Sequence, residues 1–103
     1  MKAPILSRTL ELGDGGRSVR IEIGQPVRVD AGEFSCDVRM AASGESALVL
    51  SAAGADEIQS LMLAFDAVRV ALAERYSSAT WLDMPFQLAF PRTNPKCRRD
   101  RRL

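Results

Sequence analysis

The chain has 103 residues, 47% of them hydrophobic and 26% charged, which is the make-up of one folded domain and too little chain for two. Its formal net charge of +1 is the sum of an acidic body, residues 1–91 with 8 basic and 12 acidic side chains, and a basic tail, residues 92–103 with 6 basic and 1 acidic. No apolar run approaches the roughly 20 residues of a membrane span, and Met1-Lys2-Ala3-Pro4 leads into Ile5-Leu6-Ser7-Arg8 without a secretory apolar core, so the expectation is a soluble cytoplasmic protein.

The first half alternates with period 2, as strands with one wet face do. Leu6, Leu10 and Leu12 point one way, and Ser7, Thr9 and Glu11 the other. Gly13-Asp14-Gly15-Gly16 follows, and Asp-Gly favours a type I′ hairpin because both central residues need positive φ. The second strand then places Val19, Ile21 and Ile23 inward. A turn centred on Asp14-Gly15 sets Leu12 opposite Arg17, Leu10 opposite Val19, Arg8 opposite Ile21 and Leu6 opposite Ile23, so the apolar residues share one face. Arg8 is the discordant member.

Gly24-Gln25-Pro26 ends the second strand, since proline cannot donate to a ladder. A loop through Asp30-Ala31-Gly32 leads to a third strand with Phe34, Cys36, Val38 and Met40 inward. After a turn at Ala42–Ser46, Ala47–Leu50 forms a short fourth strand, and Ser51-Ala52-Ala53-Gly54 breaks the pattern. The simplest arrangement is a meander.

The period then changes. Asp56 caps a helix running to about Tyr76, with Gln59 reaching back in a capping box and Asp56 and Glu57 at the positive end of the dipole. Ile58, Leu61, Met62, Phe65, Val68, Leu72 and Tyr76 form the stripe that faces the sheet. At 100° per residue Leu63, Ala67 and Val70 fall outside that stripe. They form a second apolar flank, covered by the chain's own segment Trp81–Phe90, by a second copy or by a different partner. In that segment Phe86, Leu88 and Phe90 alternate as a short strand would. From Pro91 onward the chain is polar, basic and expected to be disordered.

Sites of chemistry are scarce. Histidine is absent and Cys36 and Cys97 are far apart in sequence, so a Cys/His zinc site fails on ligand count. Cys36 reads as a buried thiol with no base to activate it. No two carboxylates form an acid/base pair by spacing, and the Gly13–Gly16 run joins two strands, whereas a phosphate loop joins a strand to a helix. The expectation is no enzyme, no cofactor and no metal. Arg8 and Arg69 are charged positions on or near apolar faces and are candidate anion contacts; Arg69 has Asp66 at i−3 as a partner. Lys96, Arg98, Arg99, Arg101 and Arg102 are candidate nucleic-acid contacts through phosphate, though the tail has no aromatic for base stacking and the acidic body opposes it.

Three pieces resemble a family of small bacterial proteins of unknown function: Ile23-Gly24-Gln25-Pro26, Phe34-Ser35-Cys36-Asp37-Val38, and Gly54-Ala55-Asp56-Glu57-Ile58-Gln59-Ser60-Leu61-Met62-Leu63-Ala64, which carries a Gly-x-Asp-x-x-Gln helix start. The resemblance covers about residues 5–75. It implies the same order of sheet before helix and supplies no activity.

Together these readings predict an α+β domain over residues 1–91, a two-layer antiparallel sheet of three to four strands on one long helix. Its function is expected to be protein interaction or binding, with another protein or a second copy as partner. The candidate interface is Leu63, Ala67, Val70, Trp81 and Phe86. The alternative is a nucleic-acid-associated protein acting through its tail; no membrane is involved in either.

Overall fold

The computed structural model describes residues 3–13, 16–82, 84, 85 and 90. β1 (Leu6–Leu12) and β2 (Ser18–Ile23) form the hairpin that the alternation demands. Leu10 faces Val19, Arg8 faces Ile21 and Leu6 faces Ile23, and the Leu12 N–H donates to the Arg17 carbonyl at 3.0 Å. Gly13 and Gly16 take positive φ on either side of the turn, a conformation that favours residues without a Cβ. Asp14 and Gly15, the residues on which the turn was centred, lie outside the described residues.

The second strand ends at Ile23, ahead of Gly24-Gln25-Pro26, as the sequence suggested, but the sheet continues beyond the proline. The Gly24 N–H donates to the Asp37 carbonyl at 2.9 Å, and β3 (Val27–Asp30) resumes the pairing on β4 (Glu33–Ala42), with Val27 opposite Ser35. Gln25 and Pro26 together oppose Cys36, so β2 and β3 read as one long strand interrupted by a bulge, one of the few sheet positions that tolerate proline. The Cys36 thiol sits in this irregularity and donates to the Gly24 carbonyl at 3.4 Å.

β5 (Leu48–Gly54) also runs further than the sequence implied. All seven residues pair with β4 in unbroken antiparallel register, from Leu48 opposite Met40 to Gly54 opposite Phe34. Ala52, Ala53 and Gly54 look like a strand breaker because they are small. Ala52 and Gly54 face the helix, whereas Ala53 is exposed on the other side of the sheet; a Cβ on Gly54 would come within 2.5 Å of the Ser60 nitrogen and 2.9 Å of its Cα.

α1 (Glu57–Arg75) follows. The Asp56 side chain accepts from the Gln59 N–H at 2.7 Å, and the Gln59 side chain accepts from the Ala55 N–H at 2.6 Å. This is a capping box whose return arm reaches one residue further than usual. The buried residues are Ser60, Ala64, Val68, Ala71 and Leu72, with Leu61 and Phe65 partly buried against the same core. The stripe is therefore rotated toward the small residues, and Ile58, assigned to the core from its spacing, is 73% exposed. It lies roughly 110° round the helix from the Ala64–Val68–Ala71 face.

The chain then returns to the far side of the sheet. β6 (Ala79–Trp81) pairs with β1, and β7 (Met84–Pro85) pairs with β6. The sheet thus has seven strands among the described residues, all paired antiparallel, in the order β3-β4-β2-β1-β6-β7 with β5 on the other side of β4. Three to four strands was an underestimate, and the meander extends only to β5, beyond which α1 crosses from one edge to the other. The alternating strand Phe86-Leu88-Phe90 lies outside the described residues except for Phe90. Buried Leu10, Val19, Ile21, Ile23, Val38, Met40, Val68 and Leu72 form the core between sheet and helix. No helix among the described residues is long and apolar enough to cross a membrane.

Candidate functional site

α1 lies over β5 and β4, so it covers only part of the inner face. Two concave regions flank it. On the β1 side, a cavity of about 190 Å³ is lined by Leu6, Ser7, Arg8, Ile21, Ile23, Phe65 and Phe90. The Phe65 and Phe90 rings meet at 5.9 Å between centroids. Arg8 faces inward here because its place in the β1 alternation leaves it no choice. Its guanidinium lies 3.7 Å from the centre of the Trp81 ring and 5.6 Å from that of Phe90, so the charge is stacked on aromatic faces. Arg69, the other candidate anion contact, is bound to Asp66 one turn back, as its spacing predicted. Its side chain is mostly buried, which makes this a positioned pair and not a solvated one.

On the other side, an open groove of about 400 Å³ runs between β5 and α1, lined by Leu48, Leu50, Ala67, Val70, Ala71, Glu74 and Arg75. Ala67 and Val70, two of the candidate interface residues, line it. Leu63 continues the same helix flank and is exposed, since residues at i, i+4 and i+7 share a face. Trp81 does not join them: it belongs to β6, at the opposite side of the sheet, beneath Arg8. Met84 and Phe90 are on that side too, so the described part of the Trp81–Phe90 segment does not cover the Leu63–Ala67–Val70 flank. Phe86, and Lys96, Arg98, Arg99, Arg101 and Arg102 of the tail, lie outside the described residues.

The floor of the groove is the free edge of β5, which sequence reasoning missed. The Ser43 N–H donates to the Ser18 carbonyl, and Gly24 to Asp37, so odd-numbered residues of β4 bond toward β2. Even-numbered residues of β4 then bond to Leu48, Leu50 and Ala52 of β5. The N–H and C=O groups of Val49, Ser51 and Ala53 consequently point outward, and among the described residues no strand meets them. Val49 is 61% exposed on the outer face of the sheet, and Val70, which lines the groove on the inner face, is 56% exposed. The signal was present in the sequence: Ala47–Ala55 contains no charge and no proline, which are the usual protections of an exposed edge.

The outer face of the sheet is polar. Glu22 bridges Arg20 at 3.1 Å and Arg39 at 3.4 Å, and the hydrogen bond from Arg20 holds its carboxyl below the usual glutamate range despite partial desolvation. The Ser51 hydroxyl donates to Asp37 at 2.6 Å. At the end of α1, the Tyr76 hydroxyl donates to Glu45 at 2.7 Å, which raises the phenol pKa. Burial, and secondarily the charge of Asp37, raises that of the Cys36 thiol. Both groups thus stay neutral at physiological pH, and a neutral thiol is a poor nucleophile. Among the described residues no three metal-binding side chains converge.

No curated protein and no solved structure matches the chain. Residues 6–92, from the start of β1 through the whole sheet and helix, match the family described as a domain of unknown function (DUF6968), and the chain belongs to that family.

Proposed function

We propose that this domain is a non-catalytic protein-interaction module that takes an extended strand of its partner along the outer edge of β5. The observation that carries the reading is the edge itself: three outward N–H and C=O pairs at Val49, Ser51 and Ala53 on a strand with no charge, proline or bulge. An added strand bonds to such an edge through its main chain, and the neighbouring apolar groove reads its alternate side chains. The absence of an activated nucleophile at Cys36 and the engagement of Arg69 with Asp66 fit a domain that binds and does no chemistry. A bacterial origin is what the resemblance of the pieces around Gly24, Cys36 and Asp56 implies, and a cytoplasmic setting fits a chain with no long apolar run.

The test is a peptide array of short extended sequences with alternating apolar side chains, probed with dilute protein. Sequence-selective binding is expected. Ser51→Pro removes one outward donor at an edge position where proline is sterically admissible, and it should weaken binding about tenfold, the equivalent of roughly 1.4 kcal/mol. Binding that Ser51→Pro leaves unchanged, or no bound peptide at all, sinks the reading.

A further inference from the structure

A strand that settles on β5 must match it in bonding, in side-chain size and in charge, and whatever element follows that strand must fit beside α1. β5 meets these conditions when it is paired with itself. Its sequence, Leu48-Val49-Leu50-Ser51-Ala52-Ala53-Gly54, runs from bulky to small. In an antiparallel pair of two such strands, outward-bonding residues must face outward-bonding residues. The register that uses all seven residues sets Ser51 against its own counterpart. It then places Leu48 opposite Gly54, Val49 opposite Ala53 and Leu50 opposite Ala52, so each bulky residue meets a small one. No charge is brought against a like charge along the seam.

The helices fit the same arrangement. α1 lies above β5 and β4, so its axis stands about half a strand spacing inside β5. Two strand spacings of about 4.8 Å would therefore separate the axes of two copies, giving about 10 Å. That is the separation at which helices pack. Gly54 touches Ser60 at one end of β5 and Leu48 shares the groove with Arg75 at the other, so α1 runs antiparallel to its own β5. The two helices of the pair are then antiparallel to each other. Their dipoles oppose favourably, and the last turn with Arg75 comes beside the first turn with Glu57 of the other copy. On the facing flanks Leu63 meets the counterpart of Val70, while Ala67, close to the axis, leaves room for the approach.

We infer that two copies of this chain associate about a twofold axis at Ser51, joining their sheets through β5 and their helices through Leu63, Ala67 and Val70, an inference that rests on the reading of β5 as an interaction edge. The pair is isologous, as a closed dimer requires.

The test is sedimentation velocity on the full chain with a charge exchange across the axis. Wild type should dimerise in the micromolar range. Leu63→Lys and Val70→Asp should each raise the dissociation constant about tenfold or more. Both residues are exposed, so the fold tolerates the changes. The double variant should recover much of the affinity, because the two new charges meet only between copies; on one helix they stand about 10 Å apart along the axis. A wild-type chain that stays monomeric at high micromolar concentration overturns the inference, as does a double variant no better than the worse single one. If the monomer still binds array peptides in a Ser51-dependent manner, the second copy is wrong and the interaction edge stands. If the chain is monomeric and the amides of Val49, Ser51 and Ala53 nevertheless exchange slowly, the chain covers its own edge and both readings fall.

Discussion

Gly54 carries more of the architecture than its size suggests. It is the point where sheet and helix backbones touch, and no rotation of a side chain can relieve a 2.5 Å approach to the Ser60 nitrogen. Gly54→Ala must push the first turn of α1 away from β5, and overpacking of this kind costs about 1–3 kcal/mol. A fall in the urea midpoint at unchanged slope checks it, and an unchanged midpoint would mean that the contact is looser than its geometry. Tyr76 carries a pH signature. Its hydrogen bond to Glu45 raises the phenol pKa in the folded state. A raised pKa contributes stability that is complete below the unfolded value of about 10 and fades as pH rises through the folded value. Wild type should therefore exceed Tyr76→Phe in stability at neutral pH, and chemical denaturation in mild alkali should show the gap closing above about pH 10. A gap that stays constant with pH would mean that the hydroxyl bond is not the source.

At the scale of elements, local chemistry and tertiary demand divide the chain. The β1–β2 register and both ends of α1 were legible because they are locally determined: alternation fixes the face, glycines fix the turn and Asp56 fixes the helix start. Asp56→Ala should accordingly cost about 1 kcal/mol, measurable as a shift in the thermal midpoint, since the Gln59 N–H loses its acceptor. No change would assign the capping to Gln59 alone. The second half of β5 was not legible. Ala52, Ala53 and Gly54 have poor strand propensity, and only the presence of α1 above Ala52 and Gly54 explains why the three pair. Ile58 failed for the same reason from the other side. The apolar periodicity pointed to Leu61, Phe65 and Leu72, whereas the close approach rotated the helix toward Ser60, Ala64 and Ala71. β3 was hidden by Pro26, which a bulge accommodates. Of the candidate sites, the Arg69–Asp66 pair and the Leu63–Ala67–Val70 flank could be read from helical spacing. Trp81 could not be placed, because joining β6 to β1 is a contact between residues nearly seventy apart in sequence.

At the scale of the whole molecule, the sheet is wider than the one helix among the described residues. α1 serves the β5 side, and the β1 side is closed by Phe65, Phe90 and the Arg8–Trp81 stack. The two edges of the domain are thus built differently, one from a regular strand and helix and the other from short strands and aromatic contacts. The stack has a practical consequence. Trp81 is the single tryptophan of the chain, and it sits against the Arg8 guanidinium on the far side of the sheet from β5. Its emission is an optical reporter of the β1–β6 seam alone, while far-ultraviolet dichroism is dominated by α1. A fluorescence transition that runs ahead of the dichroism would time the opening of one edge against the other, without a label and without altering a residue.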